Sequence, residues 1–191
     1  MRSSGVWILA LLLGAAIACA QPAEAPSREP DVHFVPTPDA VVEAMLKLAN
    51  VRETDVVYDL GCGDGRTVIR AAKQFGARAV GIDIDPKRIE ESRRNAREAG
   101  VEDRVAFFTG DLFEADLSEA TVVTLYLLTK LNIQLRPKLW RELKPGARVV
   151  SHEFSMGDWE PEKTISVDGR TVHLWIVRDE GTASHAQTAA Q

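Results

Sequence analysis

The sequence predicts an α/β fold: a doubly wound, mostly parallel sheet that ends in an antiparallel hairpin. First, a buried-strand run at 56–60 meets a turn with glycine at every second position, and a helical pattern follows at 67–73. Second, a strand at 79–83 lies one strand–helix–strand crossover further along the chain. Third, Asp168-Gly169 separates two strand-like runs near the C-terminus, which is typical of a hairpin turn.

The composition is that of an ordinary globular domain with a short extension. The chain has 191 residues, of which 45% are apolar and 27% are charged. The chain has a formal charge of −5 and so lacks the excess of positive charge that is typical of nucleic-acid-binding proteins. No nucleic-acid partner is predicted. Cys19 lies in an apolar run and Cys62 in the glycine turn, so we expect no disulfide. The four histidines are scattered without metal-ligand spacing, and no metal site is predicted.

Residues 1–20 have the pattern of a secretory signal peptide. A positively charged start precedes an apolar run at 6–17, and Ala-Cys-Ala then offers a cleavage site before residue 21. The sequence therefore predicts export to the periplasm or the medium, with membrane contact only through this segment. Two alternatives stay open: an uncleaved membrane anchor, and a loose lipobox in which Cys19 would be lipidated.

The rest of the chain divides into three parts. Residues 21–33 form a linker rich in Pro, Ala and Glu, residues 34–178 form the folded domain, and residues 179–191 form a disordered tail. The domain opens with Thr37 as a good N-cap and Pro38 at the first helical position, followed by apolar residues at helical spacing. Asp85-Pro86 starts another helix that ends at Gly100, and its charged residues, Arg88 among them, predict a solvated face.

The second half alternates strands and helices before the hairpin. A third strand at 105–113 includes Gly110-Asp111, and a fourth occupies 120–126. A helix follows at 130–143, which Pro137 could break or restart. A fifth strand at 148–154 and a loop at 157–161 lead to the two strands of the hairpin, at 164–167 and 171–177.

The glycine spacing separates two kinds of cofactor site. A dinucleotide fingerprint has a third glycine where this chain has Arg66, which disfavours a nicotinamide enzyme. The G-x-G-x-G turn instead resembles the first motif of the class I, seven-stranded, Rossmann-like methyltransferases that depend on S-adenosylmethionine (SAM). That resemblance implies SAM as the cofactor. It implies cofactor contacts from the following residues: Thr37, Asp59, Gly61, Gly63, Asp64, Asp83, Ile84, Asp111 and Leu112.

The resemblance also gives roles to the acidic residues at the carboxyl ends of strands. Asp59 would meet the ammonium of the ligand, Asp83 would accept the ribose hydroxyls, and Asp111 would accept the adenine amino group. Leu112 would pack on the adenine ring. The residues themselves leave plainer alternatives open, because each acid could be a turn or capping residue, and Asp64 could be a helix N-cap.

The fourth strand should face the transferred methyl group, because ligands in such sheets lie beyond the carboxyl ends of the strands. The run Thr124-Leu125-Tyr126-Leu127-Leu128 lacks the acid or Asn, two prolines and aromatic residue of nucleobase amino-methylating enzymes. It also lacks the metal-binding acid of catechol-type methyltransferases. Tyr126 is the candidate for shaping the acceptor pocket, or it is a core tyrosine. His152 is a possible general base or a structural histidine, and Trp159 packs on a substrate or on the fold.

A narrower resemblance concerns the acceptor. Four motifs together look like a bacterial group distantly similar to lysine methyltransferases of mitochondrial proteins: Phe-Val-Pro-Thr-Pro at 34–38, the glycine turn, Thr-Leu-Tyr-Leu-Leu at 124–128 and Gly-Asp-Trp-x-Pro at 157–161. The implied reaction is an in-line displacement on a lysine amine that has first lost its proton. A small-molecule methyltransferase and a non-catalytic exported SAM-binding module remain as alternative functions, and the oligomeric state is not predicted.

Overall fold

The computed structural model describes residues 31–179. The predicted signal peptide at 1–20, most of the predicted linker and nearly all of the predicted tail lie outside this range. Within it, no helix is both long enough and apolar enough to cross a membrane.

The described part of the chain alternates helices and strands around one sheet. The elements are α1 (Asp39–Leu48), β1 (Val56–Leu60), α2 (Arg66–Phe75), β2 (Arg78–Asp83), α3 (Pro86–Ala99), β3 (Val105–Thr109), β4 (Val122–Leu125), α4 (Thr129–Glu142), β5 (Arg148–His152), β6 (Lys163–Val167) and β7 (Arg170–Ile176). The strand order is β3-β2-β1-β4-β5-β7-β6. Strands β1 to β5 are parallel, and β7 pairs antiparallel with both β5 and β6. This confirms the predicted fold class.

Hydrophobic residues cover both faces of the sheet, as a doubly wound fold requires. Successive strand residues point to opposite faces, so Val122 joins the core beneath α1, α2 and α3, whereas Val123 joins the core beneath α4. Because β1 to β5 are parallel, their carboxyl ends all lie at the same edge of the sheet. Asp59 and Asp83 reach that edge from the adjacent strands β1 and β2.

Local turn and cap signals give the bounds of α3 and of the hairpin as predicted. The Asp85 carboxylate accepts a hydrogen bond from the Lys87 N–H at 2.8 Å, and Gly100 ends the helix with a left-handed φ of 70°. Asp168 and Gly169 have φ values of 51° and 76°, which is the pair of positive angles that a two-residue hairpin turn needs.

One helix prediction was wrong in detail, and the structure decides an alternative that the sequence left open for another helix. Thr37 is not the N-cap of α1, because Pro38 holds that position and its carbonyl accepts from the first free N–H groups of the helix. Pro137 does not interrupt α4, which is continuous over it. The helix tolerates the lost hydrogen bond because Pro137 is exposed, while Leu135 and Leu139 are fully buried and hold α4 against the sheet.

A largely buried ion pair lies at the amino ends of the parallel strands. Arg148, at the start of β5, forms a salt bridge with Asp55, and also donates to the Ala49 carbonyl at 2.9 Å. The Thr121 hydroxyl donates to Asp55 at 2.7 Å, and the Arg52 N–H donates at 2.8 Å. Burial alone would raise the pKa of Asp55, but these donors hold the pKa below its ordinary value.

Asp55→Asn should therefore destabilise the protein by about 2–3 kcal/mol, because it leaves a largely buried guanidinium without its counter-charge. A carboxyl whose pKa is depressed on folding stabilises the protein above its unfolded pKa and loses that effect as the pH falls. The wild type should thus lose its advantage over the variant below about pH 4. Urea unfolding at several pH values measures this, with exposed Asp103→Asn as the control, and equal stability at pH 7 would contradict the prediction.

Candidate functional site

The turn between β1 and α2 depends on glycine for steric reasons. Gly61, Gly63 and Gly65 have φ values of 82°, 55° and 80°, in the left-handed region that other residues seldom adopt. A Cβ on Gly65 would also lie 2.9 Å from both the Phe107 ring and the Ser92 side chain. The turn is therefore packed against β3 and α3 as closely as backbone allows.

The amide groups of this turn bind the end of β2. The N–H groups of Gly61 and Cys62 donate to the Ile82 carbonyl at 2.8 and 3.0 Å. The Gly63 N–H donates to Asp83 Oδ2 at 2.8 Å. These hydrogen bonds fix the end of β1, which carries Asp59, relative to the end of β2, which carries Asp83.

Helix α3 supplies a second set of anchors that the sequence analysis missed. The Ser92 hydroxyl donates to the Gly63 carbonyl at 2.8 Å, and the Asn95 amide donates to the Asp64 carbonyl at 2.9 Å. Their three-residue spacing puts both on one face of α3. The polar pair Ser92 and Asn95 at this spacing is the sequence signal that could have predicted a polar face of α3 against the turn.

A cavity of about 460 Å³ opens at the carboxyl ends of β1, β2 and β4. It is lined by nine of the residues predicted from the sequence: Thr37, Asp59, Gly61, Asp64, Asp83, Ile84, Asp111, Leu112 and Tyr126. Gly63 does not line it and acts through its hydrogen bond to Asp83. The segment 31–37, which we call the strap, runs along the same cavity, although the sequence places residues 31–33 in the linker.

Asp59 is a buried carboxyl whose direct partners are hydroxyl groups. It is 7% exposed, and the Thr124 hydroxyl donates to it at 2.7 Å. Burial raises the pKa of Asp59 to about 7, although hydrogen bonds from Thr124 and Thr67 oppose the rise and the nearby Asp83 adds to it. A cation bound in the cavity would stabilise the ionised form.

Asp83 is oriented by two backbone donors. Gly63 N–H binds Oδ2 and Asp85 N–H binds Oδ1, at 2.8 and 2.9 Å. Burial raises the pKa of Asp83, and these two hydrogen bonds oppose the rise. Each oxygen keeps a second acceptor position, so the carboxylate can receive two further donors such as neighbouring hydroxyls.

Arg66 joins the glycine turn to the strap. Its guanidinium forms a salt bridge with Asp64 at 2.6 Å and donates to the Thr37 carbonyl at 2.9 Å. Gly65 is the N-cap of α2, so Asp64 does not hold that position, although its carboxylate accepts from the Arg66 N–H at 3.3 Å. Arg66 stands where a dinucleotide motif has its third glycine, and here it holds the strap in place.

Phe34 of the strap packs on the glycine turn. A Cβ on Gly63 would lie 2.2 Å from the Phe34 ring, so this glycine is required by contact as well as by φ. The Arg88 guanidinium lies 4.9 Å from the centre of the same ring and lines the cavity. Arg88, predicted to belong to a solvated face, is therefore only half-exposed, because the Phe34 ring packs on it.

Tyr126, which lines the cavity, packs against the buried His152 ring. Their ring centroids are 3.9 Å apart, and the Phe154 ring stacks with Tyr126 at a centroid distance of 6.1 Å. His152 is fully buried, and its Nδ1 lies 3.2 Å from Thr37 Oγ1. Burial lowers the pKa of His152, so the ring is neutral at pH 7, and it has no exposed surface with which to act as a general base.

Three further features take plain roles. Cys62 is buried, and burial raises the pKa of its thiol, so it packs as a small apolar residue. Trp159 packs 5.3 Å from Trp140 and 5.9 Å from Trp175, and its carbonyl accepts from Trp175 Nε1 at 2.7 Å, so it belongs to the fold. Across residues 31–179, no group of His, Cys, Asp or Glu is arranged to hold a metal ion.

Two family models match the chain. One, described as the ANTKMT methyltransferase domain, matches residues 59–163, which is more than half of the chain and spans β1 to the start of β6. The other, described as a DNA methylase, matches residues 3–94 and ends before β3.

Three similar proteins represent the matches. A protein-lysine N-methyltransferase of Saccharolobus islandicus is 50% identical over 78% of this chain and 95% of its own length. An adenine nucleotide translocase lysine N-methyltransferase of Mus musculus is 35% identical over 73% of this chain, which spans 61% of that protein. A crystal structure described as an RNA methyltransferase from Salinibacter ruber, in complex with S-adenosyl-L-homocysteine, is 60% identical with a TM-score of 0.76, covering 76% of this chain and 95% of that one.

The raised pKa of Asp59 predicts a pH-dependent affinity for S-adenosylhomocysteine. If an ammonium group binds Asp59, the carboxyl must ionise first, so affinity should fall roughly fivefold from pH 7 to pH 6 and steepen toward tenfold per pH unit below that. Asp59→Asn should bind more weakly and lose this part of the pH dependence, while melting at a higher temperature at pH 8 because no buried charge remains.

Calorimetric titration from pH 5.5 to 8.5 measures the affinity, and thermal melts measure the stability. Asp64→Asn is the control, since it also removes a carboxylate that lines the cavity but leaves Asp59 in place. The same pH slope in wild type and Asp59→Asn would show that the titrating group is elsewhere, for instance on the ligand.

Proposed function

The chain belongs to the ANTKMT methyltransferase family and is a SAM-dependent methyltransferase, and from this premise we propose that it methylates the side-chain amine of a protein lysine. The observation that carries the proposal is the 50% identity to a protein-lysine N-methyltransferase over 95% of that protein. The match includes the strand ends that form the cavity rather than a short cofactor motif alone.

The charge of the cavity supports a cationic acceptor. Among the residues that line it, carboxylates outnumber guanidinium groups: Asp31, Asp59, Asp64, Asp83, Asp85 and Asp111 against Arg66 and Arg88. An excess of negative charge attracts a lysine-bearing segment and repels a phosphate backbone. RNA is the second candidate acceptor, because the 60% identical crystal structure is described as an RNA methyltransferase.

The end of β4 also argues against a nucleobase. It continues as Leu125-Tyr126-Leu127, without the polar residue and prolines of nucleobase amino-methylating enzymes. The DNA methylase model does not reach this strand, since it ends at residue 94. The match to the DNA methylase model thus excludes the strand end that we expect to face the acceptor, whereas the structure described as an RNA methyltransferase covers 76% of this chain.

The cavity residues fit the cofactor by their chemistry. The glycine turn leaves no room for side chains, and the buried Asp59 lacks only a cation to stabilise its charge. We assign Asp59 to the amino group, Asp83 to the ribose hydroxyls, and Asp111 with Leu112 to the adenine. When bound, SAM supplies an electrophilic methyl group on a sulfonium, so the protein has no leaving group to activate.

The chain's own residues then have to place and desolvate the acceptor. Tyr126 lies at the carboxyl end of β4, half-buried, in the wall of the cavity. An aromatic wall holds the aliphatic part of a lysine and excludes water, which favours the neutral amine that reacts. Because His152 is buried behind Tyr126, the proton of the lysine leaves to solvent rather than to a histidine base.

Methyl transfer to protein and to RNA from the same lysate distinguishes the two acceptors. We expect the full-length chain with labelled SAM to produce methyl-lysine, identified by mass spectrometry of hydrolysed protein, and to leave the RNA fraction unlabelled. Label in RNA alone would overturn the proposal in favour of the second candidate, and label only in small molecules would indicate a small-molecule acceptor.

Two variants test the assigned residues in this assay. Asp83→Ala should weaken SAM binding at least tenfold, since one charge-assisted contact contributes about that much or more. Tyr126→Ala should reduce turnover about tenfold or more while SAM affinity changes little, because it removes only the acceptor wall. Tyr58→Ala is the matched control, as it truncates a half-buried tyrosine on β1 that packs in the core beneath α4.

We also propose that the protein is exported, on the basis of the pattern at residues 1–20. The mass of the N-terminal peptide, measured on protein from its own host, tests this directly. A mature start at Gln21 indicates soluble export, and an acylated Cys19 indicates a lipoprotein. An intact Met1 in the cytoplasmic fraction would contradict export.

A further inference from the structure

His152 has a buried polar atom for which packing alone gives no reason. The side chain is fully buried, and Nε2 has no hydrogen-bond partner within residues 31–179. The nearest carboxylate, that of Glu153, lies 3.6 Å from Nε2, beyond hydrogen-bond distance. A phenylalanine would fill the same space without burying a polar atom, so the imidazole needs an explanation.

The other ring nitrogen provides one. Nδ1 lies 3.2 Å from Thr37 Oγ1, across 115 residues of sequence, and this hydrogen bond is buried. Burial lowers the pKa of His152 and keeps the ring neutral. The negative carboxylate of Glu153 on the Nε2 side favours the tautomer with hydrogen on Nε2, in which the Thr37 hydroxyl donates to Nδ1.

The face of the same ring supports Tyr126. β4 and β5 are paired so that Leu125 lies opposite Ser151, which makes Tyr126 and His152 the next residues along the adjacent strands. Their rings are 3.9 Å apart at an angle of 34°. Tyr126 faces the cavity and His152 lies behind it, so the position of the tyrosine ring depends on the imidazole.

Thr37 is in turn the last residue of the strap. Its carbonyl accepts from Arg66 at 2.9 Å, and its hydroxyl binds His152. These two contacts hold the end of the strap between the glycine turn and β5. The cofactor half and the acceptor half of the cavity therefore share one hydrogen-bonded link.

We propose that His152 is a positioning residue that couples the strap to the acceptor wall: Thr37 is held by its Nδ1 and Tyr126 by its ring face. The inference rests on the proposed function only for the identity of the acceptor. A purely structural histidine would affect stability, whereas a coupling histidine affects methyl transfer through the same bond that Thr37 makes.

A double-mutant cycle isolates that bond. Thr37→Val and His152→Phe each remove one partner while keeping shape, and the phenyl ring retains the stacking on Tyr126. We expect each single variant and the double variant to lower the single-turnover methylation rate by a similar factor, about tenfold, at saturating SAM and acceptor. His152→Ala should be slower still, because it also removes the support of Tyr126.

The chain contains a matched control pair. Thr164 and His173 form the same hydroxyl-to-Nδ1 contact at 2.9 Å on the exposed hairpin, away from the cavity. Thr164→Val, His173→Phe and their combination should leave the transfer rate within about twofold of wild type. If both cycles reduce the rate equally, the effect is a general one of the fold and the inference is wrong.

Hydrogen exchange of the strap provides a readout that needs no acceptor. In the SAM-bound state, amides of the segment 33–37 should exchange faster in Thr37→Val and in His152→Phe than in wild type, and no faster in the double variant than in either single one. Wild type that fails to methylate lysine refutes the proposed function but leaves this readout in place. Unchanged exchange, or additive effects of the two substitutions, would overturn the coupling, and if His152→Phe does not fold, Thr37→Val alone tests it.

Discussion

The hydrogen bonds between the glycine turn and the end of β2 determine what the site can bind. In phosphate-binding loops, backbone N–H groups point at the ligand and cradle its negative charge. Here the N–H groups of Gly61 and Cys62 bind the Ile82 carbonyl, and that of Gly63 binds Asp83. The turn has thus used its donors within the protein, and carboxylates line the cavity instead. A pyrophosphate would find repulsion where a dinucleotide site offers donors, whereas a ligand with an ammonium and hydroxyl groups finds acceptors.

Asp59 shows what the same site costs before a ligand binds, because a carboxyl whose pKa is raised by burial lowers the stability of the fold when it ionises. Asp59 is buried between threonine hydroxyls, and its pKa is raised because no hydroxyl compensates for lost hydration as a cation does. The ion pair of Asp55 and Arg148 at the opposite edge shows the contrast, since there the pKa of a buried aspartate is lowered by a resident guanidinium. The Asp55 carboxylate thus contributes to the stability of the fold, whereas the Asp59 carboxylate lowers that stability and is available to bind a cation.

Local signals allowed the sequence to predict the fold and most of the cavity. Asp85-Pro86 and Gly100 bracket α3, and acids at the carboxyl ends of parallel strands reach one edge of the sheet, so Asp59 and Asp83 could be placed without tertiary information. The failures concern contacts between distant segments. Thr37 has the residue type and neighbours of a helix cap, yet its hydroxyl lies against His152, 115 residues away. The partial burial of Arg88 was not predicted because nothing in α3 itself reveals that Phe34 packs on it.

The strap gives these distant contacts a common reason. Arg66 binds the Thr37 carbonyl and His152 binds the Thr37 hydroxyl, and Phe34 lies on Gly63, where any side chain would collide with it. A lysine acceptor has two conflicting requirements, because its ammonium is attracted by carboxylates but only the neutral amine reacts. The cavity has both carboxylates and, in Tyr126, an aromatic side chain in its wall, so different groups can meet the two requirements. The amine can be attracted by one group and desolvated by another, provided that the strap and the wall keep a fixed distance, which is what a buried neutral histidine between them supplies.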